Sequence, residues 1–158
     1  MYVTTDSGWP DIVTTDASDP IVIEHLTMDS LTITSGTFDP NGIDFEITGD
    51  FTISNTGNIV VGNDAWNGVD VIVGGNLNLL GTVVNELNMR GTALWTLSVA
   101  GTRTVRYVDV SYCDSRFGNA IIAESSTDSG NTVNWTFAEY VVTGRTGLAI
   151  STSIAIGI

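Results

Sequence analysis

Short alternations of apolar and other residues recur along the middle of the chain, with polar corners between them. Each unit is an apolar triplet, a corner and a second apolar triplet: LTMDSLTI at 26–33, FEITGDFTI at 45–53, VIVGGNLNL at 71–79 and, more loosely, LNMRGTALWTLSV at 87–99. A period of two residues is that of a β-strand. The sequence therefore predicts short strands that come in pairs around fixed corners.

These units recur at a nearly constant distance. The second triplets begin at Leu31, Phe51, Leu77 and Leu97, so the offsets in sequence number are 20, 26 and 20, and a fifth candidate is AII at 120–122. Whole units that repeat at such a distance are typical of a solenoid, in which each turn of the coil, or rung, buries its apolar face against the next. We predict an all-β protein with a parallel β-solenoid of about five short rungs.

An antiparallel β-sandwich or jelly roll is the competing fold, because it also has short strands at a regular spacing of roughly 8 to 12 residues. A sandwich has no reason to repeat its connections, which favours the solenoid. The predicted body covers residues 21–137. An extended N-terminal arm, with Pro10 and Pro20, precedes it at 1–20, and a hinge and C-terminal strand tail follow at 138–158.

The segment VRYVDVSYCDSRFGNAIIAESSTDSGNTVNWTF at 105–137 resembles the final coils of right-handed parallel β-helix proteins of the bacterial surface and phage-appendage type. It contains a strand of the type YVDVSYCDS, a Gly-Asn corner and a closing segment DSGNTVNWTF. With the upstream repeats, the resemblance covers about residues 21–137. It implies a right-handed coil. It does not imply one activity, because this fold serves surface proteins, adhesins, phage appendages and polysaccharide lyases or hydrolases.

The charge of the chain excludes some partners. Its 158 residues carry a formal net charge of −13, which argues against binding to nucleic acid or to anionic lipid. The apolar C-terminal stretch is shorter than the roughly 20 residues that a membrane-spanning helix needs, so we expect no membrane insertion. Cys113 is the only cysteine, and no disulfide is expected. We expect an extracellular, cell-surface or virion location, although MYVTTDSGWPD lacks a secretion signal.

A catalytic site is not expected. Resemblance to β-helix enzymes implies clustered Asp with basic neighbours, and the candidates are Asp109, Asp114, Arg116, Arg103 and Arg106. If 105–110 is a strand, alternation places Arg106 and Asp109 on opposite faces. The single histidine, His25, excludes a metal site built from several histidines. We therefore predict that the protein is not an enzyme and that Cys113 is a core or corner thiol.

Two loops contain carboxylates that could bind Ca²⁺, a cation that prefers oxygen ligands. TDASDP and FDPNGID supply Asp16, Asp19, Asp39 and Asp44. The spacing is not that of an EF-hand, and Asp before Pro is also a common turn former. A bound calcium ion and ordinary turn chemistry both remain open, and no other cofactor is expected.

One loop, GNDAWNG, contains Trp66 beside Asp64 at the point where the repeat is longer than elsewhere. We expect Trp66 to be the most exposed of the four tryptophans, able to stack on a glycan or to anchor a partner. The alternative is that it packs back against the solenoid. Trp95 is expected in the core or at its rim, and Trp135 over the last coil.

The final stretch TGLAISTSIAIGI alternates large aliphatic and small residues, with the large ones at Leu148, Ile150, Ile154, Ile156 and Ile158. We predict that 147–158 adds as a strand to a sheet edge of a neighbouring subunit. The alternative is that it folds back on its own solenoid, since Gly144 and Gly147 form a hinge.

The predicted function is a non-enzymatic structural protein that assembles with itself or decorates a capsid, appendage, filament or cell surface. A glycan-binding or adhesin module is the alternative, and a polysaccharide lyase or hydrolase is a further one.

Overall fold

The computed structural model describes residues 26–34, 36–38, 40, 42–54, 59–61 and 66–139. These ranges contain strands and no helix. They therefore contain no helix long and apolar enough to cross a membrane. In chain order the strands are β1 (Leu26–Met28), β2 (Leu31–Ile33), β3 (Gly36–Phe38), β4 (Phe45–Ile47), β5 (Phe51–Ser54), β6 (Ile59–Val61), β7 (Asp70–Val73), β8 (Leu77–Leu80), β9 (Leu87–Val99), β10 (Arg103–Arg106), β11 (Val108–Asp114), β12 (Ile121–Glu124), β13 (Thr127–Asp128) and β14 (Trp135–Ala138).

The strands form two six-stranded sheets and one two-stranded sheet, and every pair of strands is parallel. The first sheet has the order β1-β4-β7-β9-β11-β13, and the second has the order β2-β5-β8-β10-β12-β14. Strands that are neighbours in a sheet come from successive rungs of the coil. This confirms the prediction of an all-β parallel solenoid, and the sheets are six strands deep where about five rungs were expected.

The core lies between the sheets and consists of columns of side chains in register. One such column runs through the whole second sheet: Ile33, Ile53, Leu79, Val105, Ala123 and Phe137. Within a strand, buried residues alternate with partly exposed ones, as in β5 and β8. Burial of one large aliphatic side chain stabilises the fold by about 1.5–3 kcal/mol, so each rung depends on its neighbours for its stability.

The fourth repeat was assigned wrongly from the sequence. Leu97 pairs with Val71 in the first sheet, whereas Leu77 pairs with Arg103 in the second. The column of second triplets therefore runs Leu31, Phe51, Leu77, Arg103, and its true offsets in sequence number are 20, 26 and 26.

The cause of that error is β9, which is one long strand of the first sheet whose two ends pair with different neighbours. Its residues 87–90 pair with 108–111 of β11, whereas its residues 96–99 pair with 70–73 of β7. In β11 the register shifts between Ser111 and Cys113, and Tyr112 between them has a φ of 56°. Apolar alternation has the same two-residue period in every sheet of the coil. The pattern therefore identifies a strand but not the sheet to which that strand belongs.

The corner between the first and second sheets is built from backbone. The N–H of Gly49 donates to the carbonyl of Asp29 (2.7 Å), and the N–H of Gly75 donates to that of Gly49 (2.8 Å). A Cβ at Gly75 would lie 2.5 Å from the carbonyl carbon of Gly49. Only glycine allows two successive rungs to approach this closely.

Side chains complete the same corner one residue later. Asp50 Oδ1 accepts the N–H of Asn76 at 2.7 Å, and Asn76 Oδ1 accepts the N–H of Thr102 at 3.0 Å. Asp, Asn and Thr commonly satisfy turn backbone in this way. The polar residues that punctuate the repeats therefore hold the spacing between rungs.

Several other corners use one residue in the left-handed region. Tyr107 (φ 51°) and Ser125 (φ 45°) follow β10 and β12 at the same place in successive rungs. Asn131 (φ 58°) and Asn134 (φ 65°) lie in the segment before β14. Asn tolerates this conformation better than most residues. The closing segment therefore contains local signals for the two bends that lead into the last strand.

Candidate functional site at the C-terminal end of the solenoid

The predicted catalytic residues have local partners instead of forming one cluster. Asp109 accepts a hydrogen bond from the Ser129 hydroxyl (2.5 Å) and lies 3.5 Å from the Arg90 guanidinium. Arg106 pairs with Glu124 at 2.7 Å. These are cross-strand contacts between neighbouring rungs. They satisfy charges on the outside of the coil, and the structure does not bring them to a common point.

Asp114 forms a pair with Arg116 two residues later. Arg116 donates from Nε to Oδ1 (3.0 Å) and from Nη2 to Oδ2 (2.6 Å), and the carboxylate side chain is only 3% exposed. These hydrogen bonds hold the pKa of Asp114 below its ordinary value of 3.8, against the effect of burial. A carboxyl group held ionised in this way is a poor general acid.

Cys113 is buried beside this pair. Burial raises the pKa of its thiol well above the ordinary value of 9.0. The thiolate is the nucleophilic form of cysteine. The environment of Cys113 is therefore that of a core side chain, as the sequence predicted.

Of the four predicted calcium ligands, Asp16, Asp19 and Asp39 lie outside the described residues. Asp44 is described, and its Oδ1 accepts the N–H of Asp70 at 2.8 Å. This contact is part of a second corner column that continues from Asp70 to Thr96. In the described ranges, no group of three or more His, Cys, Asp or Glu side chains could hold a metal ion.

The expected exposure of Trp66 is wrong. Its side chain is 0% exposed and packs against Trp95, with ring centroids 5.0 Å apart, and against Phe45 at 6.3 Å. Trp95 is also buried, and its Nε1 donates to the Ser111 carbonyl. A large aromatic gains more from burial than from an exposed place in a polar loop. Trp66 thus has no free face for a sugar, and its neighbour Asp64 lies outside the described residues.

The C-terminal end of the solenoid combines an unpaired sheet edge with apolar side chains that are only partly covered. β14 pairs with β12, with Trp135 opposite Ile121 and Phe137 opposite Ala123. Within the described ranges no strand pairs with the other edge of β14. An edge of this kind presents backbone donors and acceptors to any strand that can approach it.

The inward side chains of β14 are only partly covered. Trp135 and Phe137 stack with ring centroids 6.2 Å apart and 16° between the ring planes, and both pack on the core while remaining partly exposed. At the other end of the same sheet, Leu31 is 2% and Ile33 is 0% exposed. The core is therefore closed at the first rung and incomplete at the last.

Other apolar side chains lie near this end. Phe117 is 78% exposed, Ile122 56% and Val133 37%. The loop that carries Phe117 is tied to the last rung, since Ser115 N donates to the Val133 carbonyl at 3.0 Å. We call the set of Phe117, Ile122, Val133, Trp135 and Phe137 the C-terminal apolar surface. Of these five residues only Trp135 was predicted from the sequence to lie at this end. The exposure of Ile122 was predictable from its position between the inward residues Ile121 and Ala123.

The predicted partner-binding residues Leu148, Ile150, Ile154, Ile156 and Ile158 lie outside the described residues. No protein-family model, curated protein sequence or solved structure matches the chain.

Proposed function

We propose that this protein is a non-enzymatic structural β-solenoid that assembles with copies of itself or decorates a larger structure. Its place is outside the cell, at the cell surface or on a virion, and its partners are further copies or a capsid, appendage or cell-surface protein. Residues 147–158 act as the assembly strand, which adds to a sheet edge of a neighbouring subunit.

The single observation that supports this proposal most is the open edge of β14 with its incompletely buried aromatic pair. Strand addition satisfies both needs of such an edge at once. Main-chain hydrogen bonds pair the free backbone groups, and alternate side chains fill the apolar gaps. Exposed apolar surface at one end of an acidic protein is typical of an interaction site.

The sequence of 147–158 suits this task. Large aliphatic residues occupy alternate positions except at Thr152, small residues lie between them, and the segment has no charged side chain. A strand of this composition offers one apolar face and permits close approach on the other. The glycan-binding alternative depended on an exposed Trp66, and the burial of that side chain removes its main support.

The experiment measures the mass of the full chain in solution by light scattering over a range of concentrations. We compare the wild type with a triple variant in which Ile150, Ile154 and Ile156 are replaced by Ser. The control replaces the same three residues by Val, which keeps the strand apolar. We expect the wild type and the Val control to form oligomers, and the Ser variant to be a folded monomer by circular dichroism. A wild type that stays monomeric at every concentration contradicts the proposal.

A further inference from the structure

We infer that the acceptor of the assembly strand is β14 of a second copy, so that two copies exchange their 147–158 segments and join at their C-terminal ends. This inference rests on the proposed function and goes beyond it, since it names the edge that receives the strand and the partner that supplies it. A mutual exchange forms a closed pair, in which the same surface of each copy faces the other.

The burial of inward side chains at the two edges of the second sheet favours β14 over β2 as the acceptor. Both strands are at an edge of this sheet. The inward side chains of β2, Leu31 and Ile33, are already buried, so an added strand would cover little apolar surface there. The inward side chains of β14, Trp135 and Phe137, are still partly exposed. Hydrophobic gain scales with the apolar area removed from water, so of these two edges β14 offers the larger gain.

The extent of the apolar surface selects a second copy over the chain's own tail. A single strand added beside β14 covers Trp135 and Phe137. Phe117 lies in the preceding loop, and Ile122 points outward from β12, so one strand beside β14 does not reach both. The body of a second copy, docked end to end, can bring its own C-terminal apolar surface to Phe117. An end-to-end pair thus covers more of this surface than a folded-back strand does.

The distribution of charged side chains also favours contact between two copies at the C-terminal end. Each copy has a formal net charge of −13, so two copies repel each other over most approaches. Residues 129–138, which lead into β14 and form it, contain no charged side chain. Segment 147–158 has none either. Two identical surfaces can meet across a two-fold axis only where like charges do not face each other.

The test uses two full-length variants, each with one cysteine added to the buried Cys113, and a short bismaleimide cross-linker. Thr136→Cys places a thiol on the outward side of β14, and Ser153→Cys places one in the assembly strand. The two chains are co-expressed, purified together and cross-linked, and the linked peptides are identified by mass spectrometry. Each chain carries only one of the new cysteines, so a 136–153 link must join two chains. The wild type, whose Cys113 is buried, controls for background.

Two further variants make the result specific. Thr32→Cys is the matched control, because Thr32 holds the corresponding middle position of β2 at the opposite end of the sheet. The double variant Thr136→Cys/Ser153→Cys reports on a link within one chain. We expect the 136–153 link between chains, in a product of twice the monomer mass, and no 32–153 link.

The remaining outcomes overturn the inference in distinguishable ways. A link that forms only inside the double variant, at monomer mass, means that the strand caps its own solenoid. A 32–153 link means that the first rung is the acceptor. Oligomers without a 136–153 link remove this inference and leave the proposed function standing. A chain that is monomeric throughout removes both.

Discussion

The indole rings of Trp66 and Trp95 pack against each other with centroids 5.0 Å apart and 31° between their planes. This contact joins the segment before β7 to the middle of β9. The pair therefore ties that segment to the core of the first sheet. It also explains why a tryptophan occurs in a segment that is otherwise rich in Asn, Asp and Gly.

Replacement of Trp66 by Ala should therefore destabilise the fold strongly. Loss of a fully buried tryptophan typically costs about 3–5 kcal/mol. Trp66→Phe, which keeps an aromatic ring in the same space, should lose less than half of that. Urea unfolding followed by circular dichroism measures both. Equal stability of the Ala variant and the wild type would mean that the packing around Trp66 is not as described.

Gly75→Ala tests the close approach of successive rungs at the corner. The added methyl group would meet the Gly49 backbone at 2.5 Å, and a backbone atom cannot move aside as a flexible side chain can. We expect a loss of about 1–3 kcal/mol, the usual cost of overpacking. Ala100→Ser, at an exposed position of the same corner one rung later, should change stability by less than about 0.5 kcal/mol. Thermal or urea unfolding of the two variants and the wild type measures both changes in the free energy of unfolding.

Asn131→Ala tests the left-handed bend before β14. Asn131 has a φ of 58° and is exposed, so packing contributes little to the comparison. The left-handed conformation costs an ordinary L-residue about 1–2 kcal/mol, and Asn less. The Ala variant should lose about 1 kcal/mol, and Asn131→Gly should lose less than half as much. A result in which Gly is the worse of the two would contradict a local backbone cause.

The pair of Asp114 and Arg116 should make stability depend on pH at acidic values. Arg116 lowers the pKa of Asp114 in the folded state. The unfolded chain therefore takes up a proton before the folded one. The stabilisation is fully present above the ordinary pKa of 3.8 and is lost as the pH falls through the lower, folded value.

The measurement is the urea midpoint at neutral pH and at several values below pH 4. Asp114→Asn should lose less stability on acidification than the wild type does. Arg116→Gln, which removes the cause of the shift and leaves the carboxylate, should show the same reduced dependence. Identical acid profiles for all three proteins would mean that the pair does not control this part of the curve.

The strands and corners were predictable because local patterns specify them. The triplets around Ile33, Ile53 and Leu79 alternate cleanly, and the Gly, Asp and Asn residues between units are direct turn signals. The fourth repeat was not predictable in the same way. Arg103 occupies the position that Leu77 holds one rung earlier, so the pattern is broken at the place where it was needed to assign LSV to the correct sheet.

The candidate site was only partly predictable. The alternation in 147–158 is visible in the sequence, as is the position of Trp135 near the end of the repeats. That Trp66 is buried and Phe117 exposed could not be predicted, because both lie in segments without a period. The partners of Asp109 and Arg106 come from adjacent rungs, 20 and 18 residues away, and they follow only from the register.

The corner hydrogen bonds set a unit of length for this molecule. The contacts from Asp50 to Asn76, from Asn76 to Thr102, and from Asp44 to Asp70 each join residues that are 26 positions apart. An insertion or deletion of one residue between them moves several columns out of phase at once. Duplication of one whole block of that length preserves every column and lengthens the coil by one strand spacing, about 4.8 Å. The middle of the chain is thus modular, and its natural increments of growth are entire rungs.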